Sequence, residues 1–106
     1  MALFRCGNGS GGIQTSFTPY DTGVTGFDIT CKIGDIVGIS FARVNGTTSF
    51  QWNGGSASVS SDYIASFGLA SGCATYYYKA SRTSNRFQTS DNVATIKGGV
   101  AIFSVG

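Results

Sequence analysis

Residues 36–53, IVGISFARVNGTTSFQWN, carry the strongest local indication of fold in the chain. Asn45-Gly46 lies between two runs that are rich in β-branched and aromatic residues. A type I′ turn needs a positive φ angle at both of its central residues, which Asn tolerates and Gly adopts freely. The dipeptide therefore predicts a two-residue hairpin turn between two antiparallel strands.

The predicted hairpin has two unlike faces, because side chains alternate along a strand. In the register that the turn fixes, Phe41 lies opposite Phe50. The large apolar face consists of Ile39, Phe41, Phe50 and Trp52, and the small polar face of Gly38, Ser40, Ala42, Ser49, Gln51 and Asn53. Each fully buried large apolar side chain contributes about 1.5–3 kcal/mol. A lone hairpin is marginally stable, so we expect the apolar face to pack on further strands.

Composition indicates one globular domain, residues 1–106, with an unusually neutral surface. Apolar residues make up 42% of the chain and charged residues only 11%, where roughly a quarter is usual. Sixteen glycines and one proline predict many tight turns. A surface of Ser, Thr, Asn, Gln and Gly is common on proteins that reside inside a larger assembly or outside the cell.

The residue types that are missing argue against several functions. The net charge of +2 is too small to indicate a nucleic-acid partner, and the chain has neither His nor Glu, so we expect no enzyme activity, metal or other cofactor. The N-terminus has no long apolar core and no apolar run reaches membrane-spanning length, so we expect neither a secretion signal nor a membrane partner. Cys6, Cys31 and Cys73 form no CxxC pair, and we expect them to be small buried hydrophobes, with one disulfide open to them in an oxidising compartment.

Short strands and Gly-rich turns follow one another along the rest of the chain. Besides the hairpin, strands are predicted at residues 2–6, 13–18, 27–33, 73–80, 87–89, 93–97 and 100–105. Residues 7–12, GNGSGG, predict a turn or linker within the domain, and residues 61–70 allow at most one short helix. About eight to ten short strands predict an all-β fold, an antiparallel β-sandwich or a jelly-roll-like domain.

Asp21-Thr22-Gly23 is the sharpest catalytic pattern. It resembles the Asp-Thr-Gly motif of aspartic proteases, and the resemblance implies a homodimer in which two Asp21 carboxylates share one proton and activate water. The other interpretation is an ordinary turn, since Asp and Gly are turn residues.

An aromatic and basic segment is the best candidate for binding. In a strand Tyr76 and Tyr78 share one face and Tyr77 takes the other, so one set belongs to the core and the other is available for stacking. Trp52 could likewise belong to the core or stack on a ligand, and its predicted register with Ile39 favours the core. The candidate binding residues are Trp52, Tyr76, Tyr78, Lys79, Arg82 and Arg86.

In composition and pattern the whole chain resembles small β-sandwich accessory proteins of tailed bacteriophage virions, such as capsid decoration or tail-associated subunits. The resemblance implies a non-enzymatic structural protein that forms homo-oligomers, binds other subunits and resides in a virion assembled in the host cytoplasm. Edge strands and terminal segments are the expected contacts. The alternative is a lectin-like carbohydrate-binding module whose surface aromatics, Trp52 and residues 76–78, stack on glycans.

Overall fold

Alternating apolar and polar residues fold into β-strands in the computed structural model. The structure describes residues 13–45, 49–68 and 73–104, without the side chains of residues 13–15, 17 and 21, and this part of the chain contains nine strands and no helix. The strands are β1 (Ile13–Val24), β2 (Gly26–Thr30), β3 (Ile36–Asn45), β4 (Phe50–Trp52), β5 (Gly55–Ser56), β6 (Tyr63–Phe67), β7 (Cys73–Lys79), β8 (Ser84–Thr89) and β9 (Thr95–Ser104). The predicted strand at residues 2–6, the linker at 7–12 and Cys6 lie outside the described residues.

The nine strands form two antiparallel sheets. One has five strands in the order β1-β9-β3-β7-β6, and the other has four in the order β2-β8-β4-β5. The chain changes sheet between β1 and β2 and again between β3 and β4, so each sheet is built from distant parts of the sequence. A single hydrophobic core lies between the sheets and draws side chains from both. The predicted all-β sandwich is therefore confirmed.

Aromatic side chains hold the two sheets together. Phe41 of β3 meets Phe50 of β4 edge to face, with ring centroids 4.8 Å apart, and it also contacts Phe87 of β8 at 5.2 Å. Such pairs add about 0.5–1.5 kcal/mol to the free energy gained from burial. The large apolar residues of the central stretch are therefore all buried, as their alternation predicts, but they line the core from two opposite sheets instead of sharing one face.

The predicted hairpin itself is wrong. Strand β3 pairs with β9 on one edge and β7 on the other, whereas β4 pairs with β5 and β8 in the opposite sheet. Because both edges of β3 are already hydrogen-bonded, the chain crosses to the second sheet instead of folding back. Phe41 and Phe50 meet across the core and not side by side within one sheet. Residues 46–48, which include Gly46, lie outside the described residues.

The Asn-Gly dipeptide at residues 53–54 makes a tight turn. Asn53 and Gly54 both have positive φ, 53° and 87°, and they join Trp52 to Gly55, which are paired across β4 and β5. This is the two-residue turn that Asn-Gly favours. The Asn53 side chain also binds β8, because its Oδ1 accepts the backbone N–H of Arg86 at 2.8 Å. A bond to a neighbouring strand thus supports this turn.

The described part of this segment, residues 61–68, does not form the short helix that the sequence of residues 61–70 allows. Residues 63–67 instead make β6, an edge strand on β7, and Gly68 follows with a φ of 75°. Tyr63 packs its ring against Tyr78 with centroids 6.1 Å apart. Packing on a neighbouring strand decides the conformation here, since the segment is too short for helix propensity to do so.

Candidate interaction surfaces

The outer face of the four-stranded sheet is polar, and its central side chains bind one another. Arg86 Nη1 donates to Asp28 Oδ1 at 2.8 Å, and Arg86 Nε donates to Gln88 Oε1 at 2.9 Å. Gln88 Nε2 donates to Gln51 Oε1 at 3.3 Å, which extends the chain of bonds across three strands. We call Asp28, Arg86, Gln88 and Gln51 the small outer face. Its central side chains have their hydrogen-bond partners in each other.

The outer face of the five-stranded sheet is built from small and aromatic residues. Val37, Ile39 and Phe41 of β3 belong to the core, so the residues that alternate with them face outward. Ser40 Oγ and Thr75 Oγ1 lie 3.1 Å apart on this side. We call it the large outer face, and its described members on the three central strands include Gly38, Ser40, Ala42, Thr75, Tyr77, Ala101 and Phe103.

An aromatic strip crosses the large outer face. A Cβ atom added to Gly38 would lie 3.0 Å from Tyr77 Cε1 and 3.5 Å from Phe103 Cε1, so both rings occupy the space that glycine leaves. Phe67, on the edge strand β6, meets Tyr77 edge to face with centroids 6.1 Å apart and is 60% exposed. Tyr77 and Phe103 are themselves half-buried. We call Phe67, Tyr77 and Phe103 the aromatic strip.

A shallow groove of about 460 Å³ lies beside the strip, and Ser40, Ala42, Cys73 and Lys97 contribute to its walls. Cys73 is exposed there as a free thiol, opposite Ala42 in the sheet. The expectation that it is buried is wrong, because its place in β7 alternates with the core residue Ala74. Cys31 is also free and half-buried, and its burial is the main cause that raises its pKa.

The three aromatic residues proposed for binding lie in the core. Trp52, Tyr76 and Tyr78 are at most 4% exposed. Trp52 Nε1 donates to Asp62 Oδ2 at 3.1 Å, and the Tyr78 hydroxyl donates to the Ala57 carbonyl at 2.8 Å. The polar atoms of Trp52 and Tyr78 thus have partners within the protein, and the three buried rings do not form an exposed stacking surface. The outward-facing tyrosine is the middle one, Tyr77.

The three basic residues proposed with them go to separate places. Lys79 ends β7 on the large outer face, opposite Ile36. Arg82 is exposed in the connection from β7 to β8, and Arg86 belongs to the small outer face. These cations therefore do not form one site.

Alternation along residues 76–78 predicts that one set of tyrosines faces outward, but nothing in the sequence pairs Tyr77 with Phe67 or Phe103, which come from other strands.

Asp21-Thr22-Gly23 lies inside β1, at the register shift between Tyr20 and Val24. The segment is an irregular strand end rather than an ordinary turn, and the Asp21 side chain lies outside the described part. Among the residues that the structure describes, no three Cys or Asp side chains cluster as metal ligands would, and no helix is long and apolar enough to cross a membrane.

Comparisons with protein-family models, with curated proteins and with solved structures find no match to the chain. The function therefore has to be argued from the geometry of the two outer faces and of the grooves beside them.

Proposed function

We propose that the chain is a non-enzymatic structural subunit that assembles with copies of itself and with other protein subunits through its large outer face. The observation that carries the proposal is the aromatic strip, which leaves Phe67 60% exposed on a face that is otherwise built of small residues. Aromatic side chains are enriched at protein interfaces and supply much of their binding energy.

The surroundings of the strip suit a protein partner. Ser40, Ala42 and Thr75 are short, so a flat partner surface can approach the sheet closely. The described charges of this face are the amino groups of Lys79 and Lys97, placed toward its two ends, and charged residues are depleted at the centres of interfaces. The small outer face, with its bound Asp28 and Arg86, has the opposite character.

We further propose that the assembly is a viral particle of the tailed-bacteriophage kind, in which the subunit decorates the capsid or belongs to the tail. The support is the resemblance in composition: 11% charged residues and many glycines over an all-β sandwich. The carbohydrate-binding alternative keeps Tyr77 on the large outer face, but the other three of its four aromatic residues, Trp52, Tyr76 and Tyr78, are buried.

Sedimentation velocity over a range of concentrations tests the proposal. We expect the wild type to associate, and Ser40→Lys to shift it toward the monomer because it places a charge beside the strip. The matched control is Thr30→Lys, which adds the same charge to an exposed strand position of the four-stranded sheet. A wild type that stays monomeric at every concentration would contradict the proposal, and so would equal association of the two variants.

A further inference from the structure

A second groove, at one end of the sandwich, is unrelated to the large outer face. It lies where β3 ends, β4 begins and the chain leaves β5, with Tyr76 of β7 also in its wall. Its volume is about 270 Å³. We call it the end groove, and its walls include Arg43, Ser49, Phe50, Ser56, Ser58 and Tyr76.

The wall that carries Ser56 and Ser58 is fixed in place. Ala57, between them, is only 3% exposed. Its N–H donates to the Phe50 carbonyl at 3.0 Å, and its own carbonyl accepts the Tyr78 hydroxyl at 2.8 Å. Both serines are exposed next to this anchored residue. The backbone that carries the two serines is therefore held at the groove, so a ligand need not order a loose loop, which lowers the entropic cost of binding.

Arg43 supplies the charge of the end groove. Its guanidinium carbon lies 5.6 Å from the centroid of the Phe50 ring, a cation–π arrangement that holds the side chain over the groove wall. Among the side chains that the structure describes, the salt bridge is the one between Arg86 and Asp28, so no described carboxylate neutralises Arg43. Its charge also reaches Tyr76, where it counteracts part of the rise in pKa that burial and Tyr63 cause.

We infer that the end groove binds an acidic monosaccharide, with the sugar carboxylate on Arg43 and the ring hydroxyls on the serines. A guanidinium matches a carboxylate with two parallel hydrogen bonds, and the single cation balances one negative charge better than the two of phosphate. Serine hydroxyls both donate and accept, as sugar hydroxyls require. The volume lies just below the roughly 300–1,000 Å³ of most ligand pockets, which suits one sugar ring. This inference goes beyond the proposed assembly function and does not rest on it.

Titration of the ¹⁵N-labelled protein followed by NMR tests the inference, with sodium D-glucuronate, D-glucose and inorganic phosphate at equal ionic strength as probes. We expect glucuronate to shift the amide resonances of residues 43, 49 and 56–58 saturably, and glucose and phosphate to bind at least about tenfold more weakly, since hydrogen bonds to charged groups contribute about 1.5–3 kcal/mol. Arg43→Gln should weaken glucuronate binding by a similar factor, and Ser58→Ala by a smaller one. Arg82→Gln, which removes an exposed arginine outside the groove, should bind as the wild type does.

Four outcomes would overturn the inference: no saturable shift at the groove, glucose binding as tightly as glucuronate, phosphate binding at least as tightly, or unchanged binding by Arg43→Gln. Thermal unfolding of each variant shows whether it is folded. Because Arg43 and Ser58 are both exposed, the two variants test the site independently if one of them proves unstable.

Discussion

The indole ring of Trp52 and the phenol ring of Tyr78 lie parallel across the core, with centroids 4.0 Å apart and an interplanar angle of 4°. Trp52 belongs to the four-stranded sheet and Tyr78 to the five-stranded sheet, so this pair joins the two layers. The polar atom of each ring donates a hydrogen bond, one to Asp62 and the other to the Ala57 carbonyl. Both acceptors come from the stretch between β5 and β6, which the pair thereby fastens to the sandwich.

Replacing Asp62 with Ala should destabilise the fold. The carboxylate is buried and accepts hydrogen bonds from Trp52 Nε1 at 3.1 Å and from the Ser81 hydroxyl at 3.0 Å. The Trp52 N–H, left buried without a partner, costs about 1–3 kcal/mol, whereas the exposed Ser81 hydroxyl can bind water instead. Urea denaturation measures the loss, and Asp28→Ala is the control, because its exposed ion pair contributes less than about 1 kcal/mol. Equal losses in the two variants would show that the Asp62 bonds do not stabilise the core.

Gly98→Ala should destabilise the protein, whereas Gly55→Ala should not. A Cβ at Gly98 would lie 2.6 Å from Phe41 Cα and would overlap the Ser40 carbonyl, and both are backbone groups of the central strand. Overpacking of this kind costs about 1–3 kcal/mol or more. At Gly55 the nearest atom, the Trp52 carbonyl oxygen, is 3.9 Å away. Thermal unfolding compares the two, and a wild-type melting temperature for Gly98→Ala would contradict the close approach of β9 to β3.

Substitution of Asn53 should destabilise the protein more than substitution of Asn45, although each precedes a glycine. Asn53→Ala removes the bonds from Asn53 to Asn85 and to the Arg86 amide, and it places Ala at a φ of 53°. We expect a loss of about 1–3 kcal/mol, since a non-Gly residue in left-handed conformation is strained without such support. Asn45→Ala, at the exposed end of β3, should cost less. If chemical denaturation showed a larger loss of stability for Asn45→Ala than for Asn53→Ala, Asn45-Gly46 would be the more important of the two for the fold.

Serine substitutions at two phenylalanines should distinguish residues that stabilise the fold from residues that mediate self-association. Phe41 is 5% exposed and contacts Phe50, Tyr76 and Phe87, so Phe41→Ser should cost at least about 3–5 kcal/mol and unfold a marginally stable domain. Phe67→Ser should leave the melting temperature nearly unchanged and weaken self-association. Sedimentation and thermal unfolding of both variants check this pair. If Phe67→Ser failed to fold, the aromatic strip would be needed for stability rather than for association.

Stability should fall in alkaline solution. Burial, with smaller effects of Tyr76 and Tyr63, raises the pKa of Tyr78 well above its usual value near 10. The unfolded chain then releases this proton before the folded one does, so the contribution of Tyr78 is complete below about pH 10 and declines as the pH rises further. Urea midpoints on both sides of that pH measure the decline. Tyr78→Phe should make it shallower, and an equally steep decline in that variant would assign the effect to other groups.

The sequence predicts which side of a strand is buried more reliably than which strand is its neighbour. Alternation places Ile39, Phe41 and Trp52 correctly in the core, because burial follows from the hydrophobicity of the residue and from its odd or even position along the strand. Pairing depends on contacts between distant segments, and β3 lies beside two strands that come much later in the chain. Asn-Gly occurs twice within ten residues, and only the tertiary bonds of Asn53 distinguish the two.

The candidate surfaces also depend on contacts between distant segments, which local sequence patterns do not predict. The three consecutive tyrosines predict one outward set, but the choice between Tyr77 and its neighbours is made by the strands on either side. The aromatic strip joins residues of β6, β7 and β9, and no local pattern predicts such a combination. The end groove likewise depends on Arg43 lying over a ring from the opposite sheet.

The hydrogen-bonded side chains of the small outer face have a consequence for any assembly that the protein joins. Asp28, Arg86, Gln88 and Gln51 bind one another, so a partner that docked there would have to break bonds already made. Under the proposed function, the large outer face binds the partner and the small outer face stays turned away from it. We would then expect the protein to cover its partner as a single layer, because the exposed backs of the first subunits offer few free hydrogen-bonding groups to a second layer.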